Sequence, residues 1–272
     1  MLISERVFHT KIQCKEIDMN PKDRIKIILS FIVLFALYHA AEYMIMFKNN
    51  ATGFFIFQLL FFVSAFLFGN WYSREGLAAW GLPFSIKMLK PFLLGMVLGI
   101  LLYGISYCTS VLSGIETIIK VPGVGDIMKS SLAFTVGVLF SSLSEDVLTR
   151  GIMYRYFNHK IKPAPLVFLS ASVYLLNHIY RLTDGIETLL YIFLLGIVFI
   201  IPVIYTKNLW LTGGMHWAGN VFFFVSHNVI GTEEHSGILS PNAVFIICLI
   251  VFIPFIWLLS NKLYGDPKPS FK

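Results

Sequence analysis

The sequence predicts an all-α, polytopic transmembrane helix bundle of about eight spans with both termini cytoplasmic, and three observations predict it. The chain is 57% hydrophobic and only 13% charged, against roughly 25% charged residues in soluble domains. Its apolar residues fall in long runs, and runs of about 17–25 residues are what a hydrocarbon core requires. Lysine and arginine collect in alternate loops, as the positive-inside rule demands.

In chain order, a segment at 1–24 carries Arg6, Lys11, Lys15, Lys22 and Arg24. It is long and charged for a signal peptide and no small-residue cleavage site follows, so the first apolar run is read as retained. The spans are read at 25–47, 53–71, 91–112, 131–145, 164–180, 186–205, 209–226 and 242–260, giving a membrane domain at 25–260 and a cytoplasmic tail at 261–272. Between the second and third runs, residues 73–89 mix Trp80, Leu82 and Phe84 with Lys87, which predicts a short amphipathic segment at the interface. Pro202 and Pro254 lie inside spans, where neighbouring helices re-satisfy freed backbone groups. With this count, 17 of the 21 Lys and Arg residues fall on one side, the side of the termini.

The net charge of +6 is explained by that topology. No basic surface interleaved with aromatics appears, which excludes a nucleic-acid partner. Cys14, Cys108 and Cys248 are too scattered for a disulfide framework or a thiolate metal site. No internal repeat is evident, which argues against a transporter built from repeats.

Polar residues at depth carry the functional signal. If the fourth helix continues to Phe157, Glu145 lies about 18 Å inside its cytoplasmic end. By the same ruler His178 lies about 21 Å into the fifth span, and His216 and Asn220 about 10 and 16 Å into the seventh. These four are expected in one layer of a motif-bearing core at 131–226. An ionisable group there costs about 2.5–3.5 kcal/mol or more, so it faces a wet interior and has partners. Asp146 or a neighbouring helix is the expected partner of Arg150, unless that arginine snorkels to the interface. The competing structural reading is a polar network that ties helices together.

A carboxylate with imidazole and amide groups suits water activation and oxyanion binding, which is hydrolase chemistry. A glutamate with two histidines also resembles a zinc set, but no close-spaced H-E-x-x-H helix is present. Ser141, Ser142 and Ser144 lie near Glu145, with nothing in the spacing to single out a nucleophile. His39 with Glu42 reads as an interfacial pair, and His227, Glu233, Glu234 and His235 as a solvated outer loop.

The order Glu145-Asp146-x-x-x-Arg150, Tyr174-x-x-x-His178 and His216-x-x-x-Asn220, with Asn208-Leu209-Trp210 leading into the last, resembles the CAAX protease and bacteriocin-processing family of intramembrane endopeptidases. The family pattern is E-E-x-x-x-R, F-x-x-x-H and H-x-x-x-N, so Asp146 stands for a glutamate and Tyr174 for a phenylalanine. The resemblance implies that Glu145, helped by His178, activates water while His216 and Asn220 stabilise the oxyanion, with Asp146 and Arg150 in support and no metal cofactor. It also implies a peptide or lipidated-protein substrate, met from the cytoplasmic side or laterally from membrane lipid, and a multi-pass place in a bacterial cell membrane. The alternative from another class is a membrane immunity or regulatory protein that binds a peptide or sensor partner on the same scaffold.

Overall fold

The computed structural model describes residues 20–265 apart from Ser236 and Ile238. Most of the segment at 1–24 and of the tail at 261–272 therefore lies outside the described residues, as does Cys14. Among the described residues, eight helices stand where the eight apolar runs were read: α1 Pro21–Met46, α2 Ala51–Ser73, α3 Leu89–Leu112, α4 Val124–Phe157, α5 Pro163–Asn177, α6 Ile186–Thr206, α7 Trp210–Phe224 and α8 Pro241–Tyr264. Their starts follow ordinary capping rules. Asn20, Asn50 and Ser240 accept hydrogen bonds from backbone N–H groups in the first turns of α1, α2 and α8, and Pro21, Pro163 and Pro241 open their helices.

Six of the eight, all but α5 and α7, are long and apolar enough to cross a membrane. The other two have 15 residues each, about 22 Å of helix. The chain is thus a multi-pass integral membrane protein built as a helical bundle. Leu59, Leu67 and Val251 are among many large apolar side chains facing outward, where lipid rather than water is the solvent.

α6 is buried along most of its length and forms the centre of the bundle. Two apolar clusters pack on either side of it. One joins Leu34, Phe61, Trp80, Leu148, Ile152 and Val203, and the other Leu102, Tyr174, Phe199, Leu211, Met215 and Leu249. α3 lies directly against α7 because the contact is made by glycine. A Cβ on Gly99 would stand 2.3 Å from the Met215 carbonyl oxygen, and one on Gly214 would stand 2.1 Å from that of Phe92. Small residues at such crossings let backbones approach and replace the missing hydrophobic drive between helices in lipid.

Residues 73–89 are buried in part. They fold inward through two 3-10 turns, Gly76–Trp80 and Ile86–Met88. Trp80 and Leu82 are buried, while Phe84 stays exposed. The reason is hydrogen bonding: Trp80 Nε1 donates to the Ala65 carbonyl at 2.7 Å, and Trp210 Nε1 to that of Pro83 at 2.7 Å. The backbone N–H of Leu209 donates to the Gly81 carbonyl at 2.8 Å, so the lead-in to α7 is stitched to this segment. At the other end of the bundle, β1 Glu116–Lys120 pairs antiparallel with β2 Gly231–Glu234. Of the outer loop expected to be solvated, Glu233 and Glu234 thus form part of a small sheet, and His235 meets Thr117 Oγ1 at 2.7 Å.

Candidate active site

α4 continues through Arg150 to Phe157, and its winding widens to a π turn at Val147–Gly151, immediately after Glu145 and Asp146. Such turns are rare and gather at functional sites. Hydroxyls take up the carbonyls on this turn: Thr149 Oγ1 donates to the Glu145 oxygen at 2.8 Å and Ser170 Oγ to the Thr149 oxygen at 2.7 Å. The inward segment rests on the turn because position 151 is glycine; a Cβ there would lie 2.2 Å from the Trp80 carbonyl oxygen.

Glu145, His178 and His216 come together. Glu145 is buried, with Oε1 3.5 Å from His178 Nδ1 and Oε2 3.6 Å from His216 Nε2. α5 ends at Asn177, three residues before the expected end of its span, and His178 caps it outside helical geometry. That ending lets His178 Nδ1 donate to the Tyr174 carbonyl at 2.8 Å, which fixes the proton on Nδ1. His216 Nδ1 donates to Asp146 Oδ1 at 3.1 Å, so its Nε2 is turned to Glu145.

Arg150 does not snorkel. It is fully buried and paired with Asp146, and its guanidinium lies over the rings of Tyr174 and Phe199, 4.3 and 4.9 Å from their centroids. Asp146 thus holds two groups, Arg150 on its own helix and His216 on α7. The shorter side chain in place of the family's second glutamate still reaches both.

Asn220 stands one turn from His216 and donates to Ser142 Oγ at 3.3 Å, one turn from Glu145 on α4. With Tyr174 and His178 it lines a cavity of about 130 Å³. The walls beyond it are Ser106, Ser110, Glu116, Arg181, His227 and Asn242. His39 with Glu42 remains a local pair on α1, 3.3 Å apart, away from this cavity.

One residue of the constellation is missed by the sequence reading. Asn177 is buried and donates its Nδ2 hydrogen to Glu145 Oε1 at 3.0 Å. The only sequence signal is that it adjoins His178 in an otherwise apolar helix, which by itself reads as helix glue. Among the described residues, no three His, Cys, Asp or Glu side chains are arranged to hold a metal ion.

Residues 128–222 match the family model for type II CAAX prenyl endopeptidase Rce1-like proteins, a stretch that runs from α4 through nearly all of α7. No curated protein and no solved structure matches the chain significantly. The matched segment contains all three motifs, in the family's order and on the helices that converge on Glu145, and over this segment the chain is similar to the CAAX protease family.

Proposed function

We propose that the chain is a glutamate-dependent intramembrane endopeptidase acting on a peptide or on a membrane-associated protein. The observation that carries this reading is the setting of Glu145: a buried carboxylate with Asn177, His178 and His216 around it, beside a cavity that His178 and Asn220 line. A structural cross-link would need no such cavity, and a binding protein has no chemical need for a poised carboxylate.

Glu145 takes a proton from water as the water oxygen attacks the substrate carbonyl. The carbonyl oxygen becomes an oxyanion that is stabilised by a hydrogen bond from Asn220 Nδ2 and by the His216 ring, held in place by Asp146. The proton on Glu145 passes to the departing amine nitrogen as the C–N bond breaks, which restores the carboxylate. His178, anchored through Nδ1 to the Tyr174 carbonyl, presents Nε2 as a proton acceptor toward the attacking water. Arg150 pairs with Asp146 and helps hold its carboxylate in place, and no metal is needed in this scheme.

The test is cleavage of a fluorogenic peptide panel, prenylated and plain, by purified protein in detergent, with and without a chelator. The reading expects activity that Glu145→Ala abolishes and chelation spares. Activity that chelation removes and zinc restores would transfer the chemistry to a metal. Cleavage unchanged in Glu145→Ala would leave a binding role on the same scaffold as the better account.

A further inference from the structure

The geometry points to a second ligand site, separate from the peptidase centre: a basic cavity at the end of α4 that binds a phosphate group, supplied by the headgroup of an anionic membrane lipid.

The cavity holds about 220 Å³ and lies between the inward segment, the last turns of α4 and the turn from α6 to α7. None of Glu145, His178, His216 and Asn220 lines it, so it is not an arm of the site described above. Glycine brings its walls together. A Cβ at Gly151 would stand 2.2 Å from the Trp80 carbonyl oxygen and one at Gly81 3.1 Å from Leu209 Cγ, while the Leu209 N–H donates to the Gly81 carbonyl at 2.8 Å. Gly151 also closes the π turn, so a ligand here sits against the segment that carries Asp146 and Arg150.

The side chains around this backbone select an anion. Arg155, Lys207, His159 and Asn158 line the cavity, and among the described residues no acidic side chain does. The segments that build it, 73–83, 151–163 and 205–210, carry Arg74, Arg155, Lys160, Lys162 and Lys207 against Glu75 alone. Glu75 stands 3.6 Å from Arg155 with both side chains about half exposed, a pair that solvent weakens and a phosphate can outbid. The Arg155 guanidinium lies 5.3 Å from the centre of the Tyr72 ring, which holds its fork of donors in one place. Lys207 caps α6 with φ +58°, a left-handed position where glycine or asparagine is the ordinary choice. A strained lysine beside a cavity is the kind of local cost that a bound ligand repays.

The depth of the cavity identifies the source of the phosphate. α6 has 21 residues, about 31 Å of helix, which matches a hydrocarbon core of about 30 Å. Its end at Lys207 therefore lies at the level of the lipid headgroups, and basic pockets between membrane helices at that level take lipid phosphates.

The test needs no catalysis. The protein is purified in a non-ionic detergent without lipid, and its melting temperature is followed on titration with phosphatidylglycerol, phosphatidylcholine or inorganic phosphate, the concentration dependence giving the affinity. Phosphatidylglycerol is expected to raise the melting temperature, and phosphatidylcholine, whose headgroup has no net charge, to raise it far less. Each cation is expected to contribute about fivefold in affinity, so Lys207→Gly weakens phosphatidylglycerol about fivefold and Lys207→Gly with Arg155→Gln about 30-fold. Glycine relieves the left-handed backbone, so Lys207→Gly without lipid is expected to melt no lower than the wild type, which separates lost binding from lost folding. Lys87→Gln with Lys90→Gln removes the same charge from outside the cavity and is expected to leave the affinity unchanged. Undiminished affinity in the Arg155 and Lys207 variants, or an equal loss in the Lys87 and Lys90 control, overturns the site and leaves only diffuse attraction to a basic surface. Inorganic phosphate that protects as well as the lipid, and does so only with Arg155 and Lys207 present, rejects the lipid as the source and assigns the cavity to a soluble phosphate.

Discussion

At the scale of single residues, the site is a set of hydrogen bonds that aim groups at Glu145. On the proposed mechanism Glu145→Gln keeps the volume and removes the base, so kcat is expected to fall by about 10²–10⁴-fold, with the melting temperature in detergent little changed. Asn177 acts through Glu145. A hydrogen bond to a charged group is worth about 1.5–3 kcal/mol, and Asn177→Ala is expected to lower kcat by about 10–100-fold while KM holds; equal losses in both would make it a binding residue. Asp146 is the more severe position because Arg150 depends on it. Asp146→Asn leaves a guanidinium uncompensated in the interior, an expected loss of about 3–5 kcal/mol in stability. Adding Arg150→Met should recover stability but not activity, because His216 Nδ1 then faces a neutral amide in place of a carboxylate; recovered activity would show that the charge of Asp146 is not needed. Glu145, His178 and His216 were legible in the sequence because an ionisable side chain inside an apolar run is conspicuous. Asn177 was not, since its value comes from the helix ending beside it, and Arg150's burial was not, since one sequence serves a snorkelling or a paired arginine equally.

At the scale of elements, the π turn on α4 and the close crossing of α3 with α7 set the distances between those residues. Ser170 reaches across from α5 to the Thr149 carbonyl. Ser170→Ala leaves that buried oxygen without its donor, which is expected to cost about 1–3 kcal/mol and to reduce kcat by loosening the turn that carries Asp146 and Arg150. A matched Ser172→Ala, at an exposed hydroxyl bonded only within its own helix, serves as the control expected to be silent. The turn itself could not be read from composition. Nothing in Val147-Leu148-Thr149-Arg150-Gly151 breaks an α-helical pattern, and the widening follows from what packs against it, the Trp80 carbonyl at Gly151 and Ser170 at Thr149. The helix crossing is similar: glycine on α3 and α7 is visible in the sequence, but which glycines face one another depends on a helix rotation that hydropathy does not fix.

At the scale of the whole molecule, the eight apolar runs were legible because lipid imposes a length and a polarity on any crossing element. The inward fold of residues 76–83 was not, because tryptophan and leucine beside lysine suit an interface or a buried plug alike. Trp80 and Leu82 of that segment pack with Leu148 and Ile152, at the end of the bundle whose loops hold Arg74, Lys87 and Lys90. The same architecture makes a claim about α5 and α7, which at 15 residues each fall short of a full hydrocarbon core. Both are buried against α6 and α3 rather than spanning lipid alone, so their length is set by the protein interior, and the polar residues at their ends, His178 and Ser226, open into the cavity. They are therefore expected to change sides all the same. A phosphatase reporter that folds only outside the cytoplasm should be active when fused after Asp184, and inactive when fused after Lys160 or after Lys207. Activity after both Asp184 and Lys207 would mean that α6 does not cross as drawn. Inactivity after Asp184 would mean that α5 returns to the side it came from.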